Sequence, residues 1–239
     1  MIGGLNRQFS SSVTGQKSKD KPGMRRLNFD RLARLYRWME WLSFGPYLGR
    51  CRCAFLPEMN AARRALVLGD GDGRFTASLL KRNPAVHVDT VDVSEVMLGA
   101  LRRRAGADAG RIRTEARDLR DWSPQAGVEY DLVVTHFFLD CLTTEEVQLL
   151  ARRLRHTLRP HARWVISEFA VPPGAFGRWV ARPVVSFLYR AFSVLTGLAV
   201  ERLPEWQCAL RSAGFLQARE EHLLHGLLTS QVWIPEREI

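Results

Sequence analysis

A short apolar segment followed by three alternating glycines constrains the fold more than any other feature of this sequence. Residues 65–68 read Ala-Leu-Val-Leu, and Gly69, Gly71 and Gly73 come directly after them. This pattern predicts a buried strand, a tight turn and the start of a helix, because glycine tolerates positive φ and lets a ligand approach the main chain. Backbone N–H groups at such a helix start face whatever lies in the turn.

The spacing of the glycines excludes two common nucleotide-binding motifs. A dinucleotide fingerprint would need its third glycine at Arg74 or Thr76, and a P-loop would need a lysine after the last glycine. The pattern present is G-x-G-x-G, with Asp70 and Asp72 at the variable positions. Two carboxylates argue against a bound pyrophosphate and favour a ligand that carries an ammonium and a sulfonium. A structural strand–helix turn without a ligand is the alternative.

The stretch resembles motif I of the class I S-adenosylmethionine (SAM) methyltransferases, which implies SAM as the cofactor. It departs from the family at Val67, because the family normally has an acid two residues before the first glycine. Either Asp70 or Asp72 replaces that acid from the loop, or cofactor binding is weak or lost. The resemblance implies that the cofactor pocket is shaped by Gly69, Asp70, Gly71, Asp72 and Gly73.

A second predicted strand, over 86–92, ends in an acid and leads into a helix that begins at Ser94 as its N-cap. An acid just past the second strand of such a unit can accept both hydroxyls of a ribose. The run D-x-S-x-x-M-L resembles the ubiquinone/menaquinone biosynthesis methyltransferases. That resemblance implies that Asp92 holds the ribose while Val93 and Met97 pack on adenine. The alternative for Asp92 is a residue that stabilises the helix dipole.

The third predicted strand, over 112–116, is followed by further candidate cofactor residues. In the family this position supplies an acid that accepts a hydrogen bond from the adenine amino group. The resemblance implies that Asp118 takes this role and that Leu119 offers its backbone. Asp121 is the rival acid.

The fourth predicted strand, over 130–136, resembles motif IV, whose end faces the transferring methyl. Thr135 is the candidate cofactor contact there. His136 is the candidate general base, because histidine titrates near neutral pH, and Asp140 is the second candidate catalytic residue. In the alternative, His136 only bonds a backbone carbonyl and Asp140 only caps the next helix.

The remaining pattern predicts an α/β fold with a doubly wound, Rossmann-like, seven-stranded sheet whose last strand is antiparallel. Further helices are predicted over 74–81, 144–155 and 203–213, a fifth strand over 158–169, and a closing hairpin over 215–235. The predicted organisation is a disordered basic tail (1–27), an N-terminal cap with helices over 28–44 and 48–60, and a SAM-dependent methyltransferase domain (61–239).

An apolar segment punctuated by arginines, residues 171–203, is predicted as a helical insertion. It is too short and too charged to span a bilayer. Three interpretations remain: a lid over a hydrophobic substrate pocket, a peripheral membrane contact through 176–198, or a helix that only packs.

Charge and cysteine usage narrow the partners. The net charge is +10, which suits nucleic acid or anionic membranes, but the arginines are scattered over predicted helix surfaces, so nucleic acid is not the expected partner. The four cysteines lack zinc spacing, which predicts no metal site and a cytoplasmic location, with membrane contact at most peripheral. The sequence makes no prediction of the oligomeric state.

The sequence therefore predicts a SAM-dependent methyltransferase that acts on a small apolar, aromatic or quinone-like acceptor. One alternative is an RNA methyltransferase that uses the basic surface. The other is a non-catalytic relative that uses the fold for protein or membrane association, and Val67 is the best argument for it.

Overall fold

The computed structural model describes Phe44 and residues 46–196 and 204–236. The predicted tail, and the predicted helix over 28–44 apart from Phe44, lie outside the described residues.

The core is one seven-stranded sheet in the order β3-β2-β1-β4-β5-β7-β6. The first five strands are parallel, whereas β7 is antiparallel to both of its neighbours. The predicted doubly wound sheet with a reversed last strand is therefore confirmed. The strands are β1 Arg64–Leu68, β2 His87–Asp92, β3 Ile112–Ala116, β4 Tyr130–His136, β5 Leu158–Phe169, β6 Phe215–Leu223 and β7 Leu228–Pro235.

The helices begin where the sequence provides caps. The Ser94 side chain accepts the N–H of Met97, and Thr143 forms a capping box with Glu146, so two helix starts are satisfied locally. The α-helices are α1 Pro46–Arg52, α2 Arg74–Arg82, α3 Glu95–Ala105, α4 Thr144–Arg155, α5 Arg182–Thr196 and α6 Trp206–Ser212.

The prediction of one helix over 48–60 is wrong. The segment divides into α1 and a separate 3-10 helix, Leu56–Ala61, with a turn between them. Pro57 lies in the first turn of the second piece, where its missing N–H does no harm, whereas inside one long helix it would break the hydrogen-bond ladder.

The two faces of the sheet pack against different helices, as strand alternation requires. From β1, Leu66 and Leu68 join a core cluster with α4 and α6, whereas Val67 joins the cluster that holds α2 and α3. Right-handed crossovers, the rule for connections between parallel strands, account for this placement. The chain turns outward in opposite directions from β1 and β4, which opens a crevice at their carboxyl ends.

A third apolar cluster closes one side of that crevice. It joins α1, the start of α5 and the β6–β7 hairpin to Phe137, the residue after β4. A π-helical turn, Gly177–Ala181, leads directly into α5, and residues 197–203 lie outside the description. Within the described ranges, no helix is both long and apolar enough to cross a bilayer.

Candidate active site

The glycine turn lies at the switch point of the sheet, where ligands of open α/β folds bind. Gly69 follows β1, and His136 ends the neighbouring strand β4. A Cβ built on Gly73 would lie only 2.8 Å from the Cα of Leu101, so this glycine allows α3 to pack closely. A Cβ built on Gly71 would have no atom within 4 Å, so open space lies above the middle of the turn.

Asp92 lies beside that open space. Its Oδ2 accepts the N–H of Gly71 at 3.2 Å, and its Oδ1 accepts the N–H of Ser94 at 2.9 Å. Burial raises the pKa of Asp92, and these two hydrogen bonds oppose the rise. The structure thus brings Gly71 and Asp92 together, as the sequence predicted, at the edge of a space without protein atoms.

The next residues leave an apolar surface at the same edge. Val93 is 55% exposed, an unusual state for valine, and Met97 is half-buried one helical turn further. A flat apolar ring could pack there beside the Asp92 carboxylate. The open turn, the acid and this surface fit a nucleoside such as that of SAM.

The acids inside the glycine turn are engaged elsewhere. Asp70 accepts the N–H groups of Phe75 and Thr76, at 3.4 and 2.8 Å, and so caps the start of α2. Burial raises its pKa to about 6. Asp72 forms an ion pair with Arg104 on α3 at 2.8 Å. These bonds explain both acids structurally, so the predicted contacts of Asp70 and Asp72 with SAM stay predictions.

Val67 is buried where the family has an acid. Its side chain is 1% exposed and belongs to the apolar cluster beneath α2. A carboxylate at this position would have to be desolvated among apolar side chains. The structure thus accounts for valine by packing.

The candidate residues after β3 differ in their exposure to solvent. Asp118 forms an ion pair with Arg120, with 3.2 Å between Oδ2 and Nη1, and its side chain is 42% exposed. Leu119 is buried in the core, whereas the rival Asp121 is exposed. Asp118 is therefore accessible at the carboxyl end of β3, and its contact with adenine stays a prediction.

Strand alternation separates the two candidates at the end of β4. Thr135 points into the core, where its Oγ1 accepts the indole N–H of Trp164 at 3.1 Å. His136 points to the opposite face, with its ring edge on Phe75 and the ring centroids 4.5 Å apart. Burial lowers the pKa of His136 well below 6.5, so the imidazole is neutral. His136 is thus a neutral, buried ring, and its catalytic role stays a prediction.

Asp140 lies in a one-turn 3-10 helix, Leu139–Cys141, and does not cap α4, whose N-cap is Thr143. Its charge acts on Glu168, a buried residue at the end of β5 that the sequence analysis did not single out. Burial, and then Asp140, raise the pKa of Glu168 well above 4.5. Glu168 Oε1 accepts the N–H groups of Phe138 and Leu139 and thereby holds the loop after β4.

Arg52 was also missed. It ends α1, which precedes the motifs in the sequence, and its guanidinium carbon lies 5.3 Å from the centroid of the Phe137 ring. No local pattern marks this arginine among the many others. Only the packing of α1 on the carboxyl ends of the strands brings it to the site.

A cavity of about 530 Å³ opens beside the carboxyl end of β5. Phe169, Pro172, Trp206 and two histidines, His222 and His225, line it. The ring of Phe169 also packs on that of Phe137, with centroids 5.1 Å apart, so the cavity adjoins the residue after His136. It is large enough for a small organic molecule.

Comparison with known proteins finds methyltransferases among those similar to this chain. Residues 65–161 match the family model described as "Methyltransferase domain". The trans-aconitate 2-methyltransferase of Rhodococcus jostii (strain RHA1) is 34% identical over 57% of this chain and 49% of its own length. That of Mycobacterium marinum (strain ATCC BAA-535 / M) is 28% identical over 83% of this chain and 78% of its own length. In the Rhodococcus alignment, and in one with the enzyme of Mycobacterium ulcerans, the chain spans about half the length of the relative.

Solved structures share the fold. An O-methyltransferase family protein from Burkholderia thailandensis superposes with a TM-score of 0.64 at 18% identity, over 87% of this chain and 58% of its own. CalO1, a methyltransferase in calicheamicin biosynthesis solved with S-adenosylhomocysteine (SAH), gives a TM-score of 0.63 at 19% identity, over 87% and 58%. Residues 65–161 thus resemble a methyltransferase domain, and the described sheet shares its fold with these solved structures.

Proposed function

We propose that this protein transfers the methyl group of SAM to a small organic acceptor. The observation that carries the proposal is the open space above Gly71, bordered by the carboxylate of Asp92. A side chain at this position would project into the space, whereas a glycine beside an acid at the end of the adjacent strand leaves room for a ribose with a hydrogen-bond acceptor next to it.

In this proposal, residues of the chain bind the cofactor and orient it. Asp92 accepts the ribose hydroxyls, Val93 and Met97 pack on adenine, and Asp118 accepts from the adenine amino group. SAM supplies an electrophilic methyl on a sulfonium. Rate acceleration comes from alignment of the acceptor with that methyl and from exclusion of water.

A carboxylic acid is the acceptor class that we propose first. The relatives named above are trans-aconitate methyltransferases, and trans-aconitate is a carboxylic acid. A carboxylate oxygen is already deprotonated near neutral pH, so its methylation needs no general base. This agrees with the neutral, buried His136, whose lowered pKa makes it a weak base.

An apolar or quinone-like acceptor is the second candidate, as the sequence predicted. The observation that favours it is the aromatic cluster of Phe137, Phe169 and Phe176 with the start of α5 beside the crevice. The hydroxyl of a phenol or quinol must lose its proton during transfer, so this candidate requires a base, and His136 is the base that the sequence predicts.

Nucleic acid is not the acceptor that we propose. Several described arginines, which would have to form a binding surface, are in ion pairs with acids of the same chain. These pairs are Arg64–Asp89, Arg104–Asp72, Arg120–Glu146, Arg159–Asp131 and Arg163–Glu58.

Calorimetric titration of SAM and SAH into the purified protein tests cofactor binding. Wild-type protein should bind both, and Asp92→Ala should weaken binding about tenfold or more, because it removes the acceptor of the ribose hydroxyls. Glu129→Ala, which changes an exposed acid just before β4, at the opposite end of the parallel strands from the glycine turn, is the matched control and should bind as wild type does. Unchanged affinity in Asp92→Ala would contradict the assignment.

Transfer of a labelled methyl group tests the acceptor. Trans-aconitate and simpler carboxylic acids should yield methyl esters, which mild alkali hydrolyses, whereas phenols and quinols would yield ethers that survive it. Transfer to phenols or quinols alone would favour the second candidate. A folded protein that binds neither SAM nor SAH would contradict the proposed function and favour the non-catalytic alternative.

A further inference from the structure

We infer that the outer face of residues 177–190 binds an anionic lipid surface. These residues form the π-helical turn Gly177–Ala181 and the first part of α5. The inference goes beyond the proposed function and does not rest on it, because it concerns the outside of the molecule and not the crevice between β1 and β4.

The inner side of this helical segment is fixed to the body of the protein. Gly177, Ala181 and Val185 are buried, and their four-residue spacing is that of one side of a helix. Ala181 and Val185 belong to the third apolar cluster. A Cβ built on Gly177 would overlap the carbonyl oxygen of Pro172, so the helix lies directly on the loop after β5. This packing fixes which side of the helix faces outward.

The outer side presents large apolar side chains to solvent. Trp179, Pro183 and Phe187 have the same four-residue spacing and lie about 200° around the helix from the buried row. Trp179 is 74% exposed, Phe187 is 71% exposed, and the adjacent Val180 is 46% exposed. A surface helix of a globular protein normally has polar residues on this side. A contiguous row of exposed apolar residues therefore indicates a contact surface.

A third row of the helix carries positive charge. Arg178 and Arg182 are four residues apart, and Arg190 follows eight residues later. All three side chains are exposed, and no acid of the described residues pairs with any of them. Residues 169–200 contain neither aspartate nor glutamate, so no acid of this stretch offsets the charge. The outer face is thus both apolar and cationic.

An anionic membrane surface fits this combination. The apolar row can enter the boundary between headgroups and acyl chains, where tryptophan is enriched, while the arginines beside it reach the lipid phosphates. A second copy of the chain fits less well, because an isologous contact would bring two cationic rows together without an acid to pair with them. Since no helix in the described ranges can cross a bilayer, the contact would be peripheral.

Flotation of the full chain with lipid vesicles tests the inference. The vesicles contain phosphatidylcholine alone or phosphatidylcholine with phosphatidylserine. One double variant, Trp179→Ser with Phe187→Ser, removes the apolar row. The other, Arg178→Gln with Arg182→Gln, removes charge and keeps length. Circular dichroism reports folding, and gel filtration reports the oligomeric state.

Two control pairs change the same kinds of residue elsewhere. Leu149→Ser with Leu216→Ser removes two exposed apolar side chains, on α4 and β6. Arg102→Gln with Arg103→Gln removes two exposed arginines from the last turn of α3.

Wild-type protein should float with the phosphatidylserine vesicles, and added salt should weaken this binding. Each double variant of the outer face should reduce binding to these vesicles about tenfold or more. The apolar pair should also reduce any binding to phosphatidylcholine alone, whereas the arginine pair should leave it unchanged. Both control pairs should bind within about twofold of wild type.

Four results would overturn the inference. The first is wild-type protein that does not float with anionic vesicles. The second is flotation that survives both double variants, which would assign it to another basic part of the chain, such as residues 1–27. The third is an equal loss in the control pairs. The fourth is a wild-type dimer that the apolar pair converts to a monomer with flotation unchanged, which would make a second copy the partner.

Calorimetry with SAM distinguishes this inference from the proposed function. A folded protein that binds SAM but no vesicles overturns the membrane contact alone. A protein that binds anionic vesicles through this face but not SAM supports the membrane contact and contradicts the proposed function.

Discussion

Replacement of Glu168 by glutamine should make the protein more stable at neutral pH than the wild type. Glu168 is 1% exposed, and its Oε1 accepts the N–H groups of Phe138 at 3.0 Å and Leu139 at 2.8 Å. Glutamine keeps this carbonyl-type acceptor in the same shape, so both hydrogen bonds survive. What the variant loses is a carboxyl group that must ionise in the unfolded chain and resists ionisation in the folded one.

The magnitude follows from proton linkage. Burial raises the pKa of folded Glu168 well above 4.5, and the charge of Asp140 raises it further. At pH values between 4.5, the pKa of Glu168 in the unfolded chain, and its raised pKa in the folded protein, the folded state holds one more proton than the unfolded state. Stability therefore falls by about 1.4 kcal/mol for each pH unit of increase. The loss begins near 4.5 and stops at the folded pKa. Glutamine has no proton to lose, so Glu168→Gln should lack this slope.

Urea unfolding at pH 5, 6, 7 and 8, followed by tryptophan fluorescence, measures the free energies of unfolding of wild type and Glu168→Gln. The stability of Glu168→Gln relative to wild type should increase from pH 5 to pH 7. Glu168→Ala is the contrasting variant, because it also lacks the slope but leaves two buried N–H donors without an acceptor, and it should be about 2–6 kcal/mol less stable than Glu168→Gln at every pH. If wild type and Glu168→Gln show the same pH dependence, Glu168 is ionised in the folded protein and the reasoning is wrong.

Two other predictions concern the turn and the α5 segment. Gly71→Ala should lower the free energy of unfolding by about 1–2 kcal/mol, because alanine is strained at a φ of +59°. It should also abolish SAH binding, because its methyl enters the open space. Gly73→Ala should lose about 1–3 kcal/mol more stability than Gly71→Ala, because its methyl overlaps the backbone of Leu101. Urea unfolding measures the stability of both variants, and calorimetry measures their SAH binding. Equal stabilities would contradict the packing argument. Serine at both Trp179 and Phe187, which are 74% and 71% exposed, should reduce flotation with anionic liposomes if this segment contacts membranes, and undiminished flotation would count against that contact.

Much of the fold is predictable because its signals are local. The strand Tyr130–His136 and the helix Thr144–Arg155 have the predicted bounds, since β-branched alternation and a capping box act within a few residues. The helix predicted over 48–60 is two separate pieces in the structure. Pro57 decides instead where the second piece begins.

The residues of the candidate site were likewise predictable only where their signals are local. The G-x-G-x-G turn and the acid after β2 are motifs of short range, and the parallel strands that carry them meet at one edge of the sheet. The use of each acid in the turn was not predictable. Asp70 caps α2, and Asp72 pairs with an arginine of α3, because helix starts and packed helices offer these acids partners that the sequence does not show.

By itself, the sequence determined the order of elements, the doubly wound sheet and the glycine turn with Asp92 beside it. These depend on periodicity, on caps and on backbone freedom, all of which are properties of neighbouring residues. Only the tertiary structure brought Arg52 to Phe137 and set Glu168 beneath the loop after β4. These groups are far apart in the chain, and their protonation and contacts depend on burial and on nearby charge, which exist only once the chain has packed.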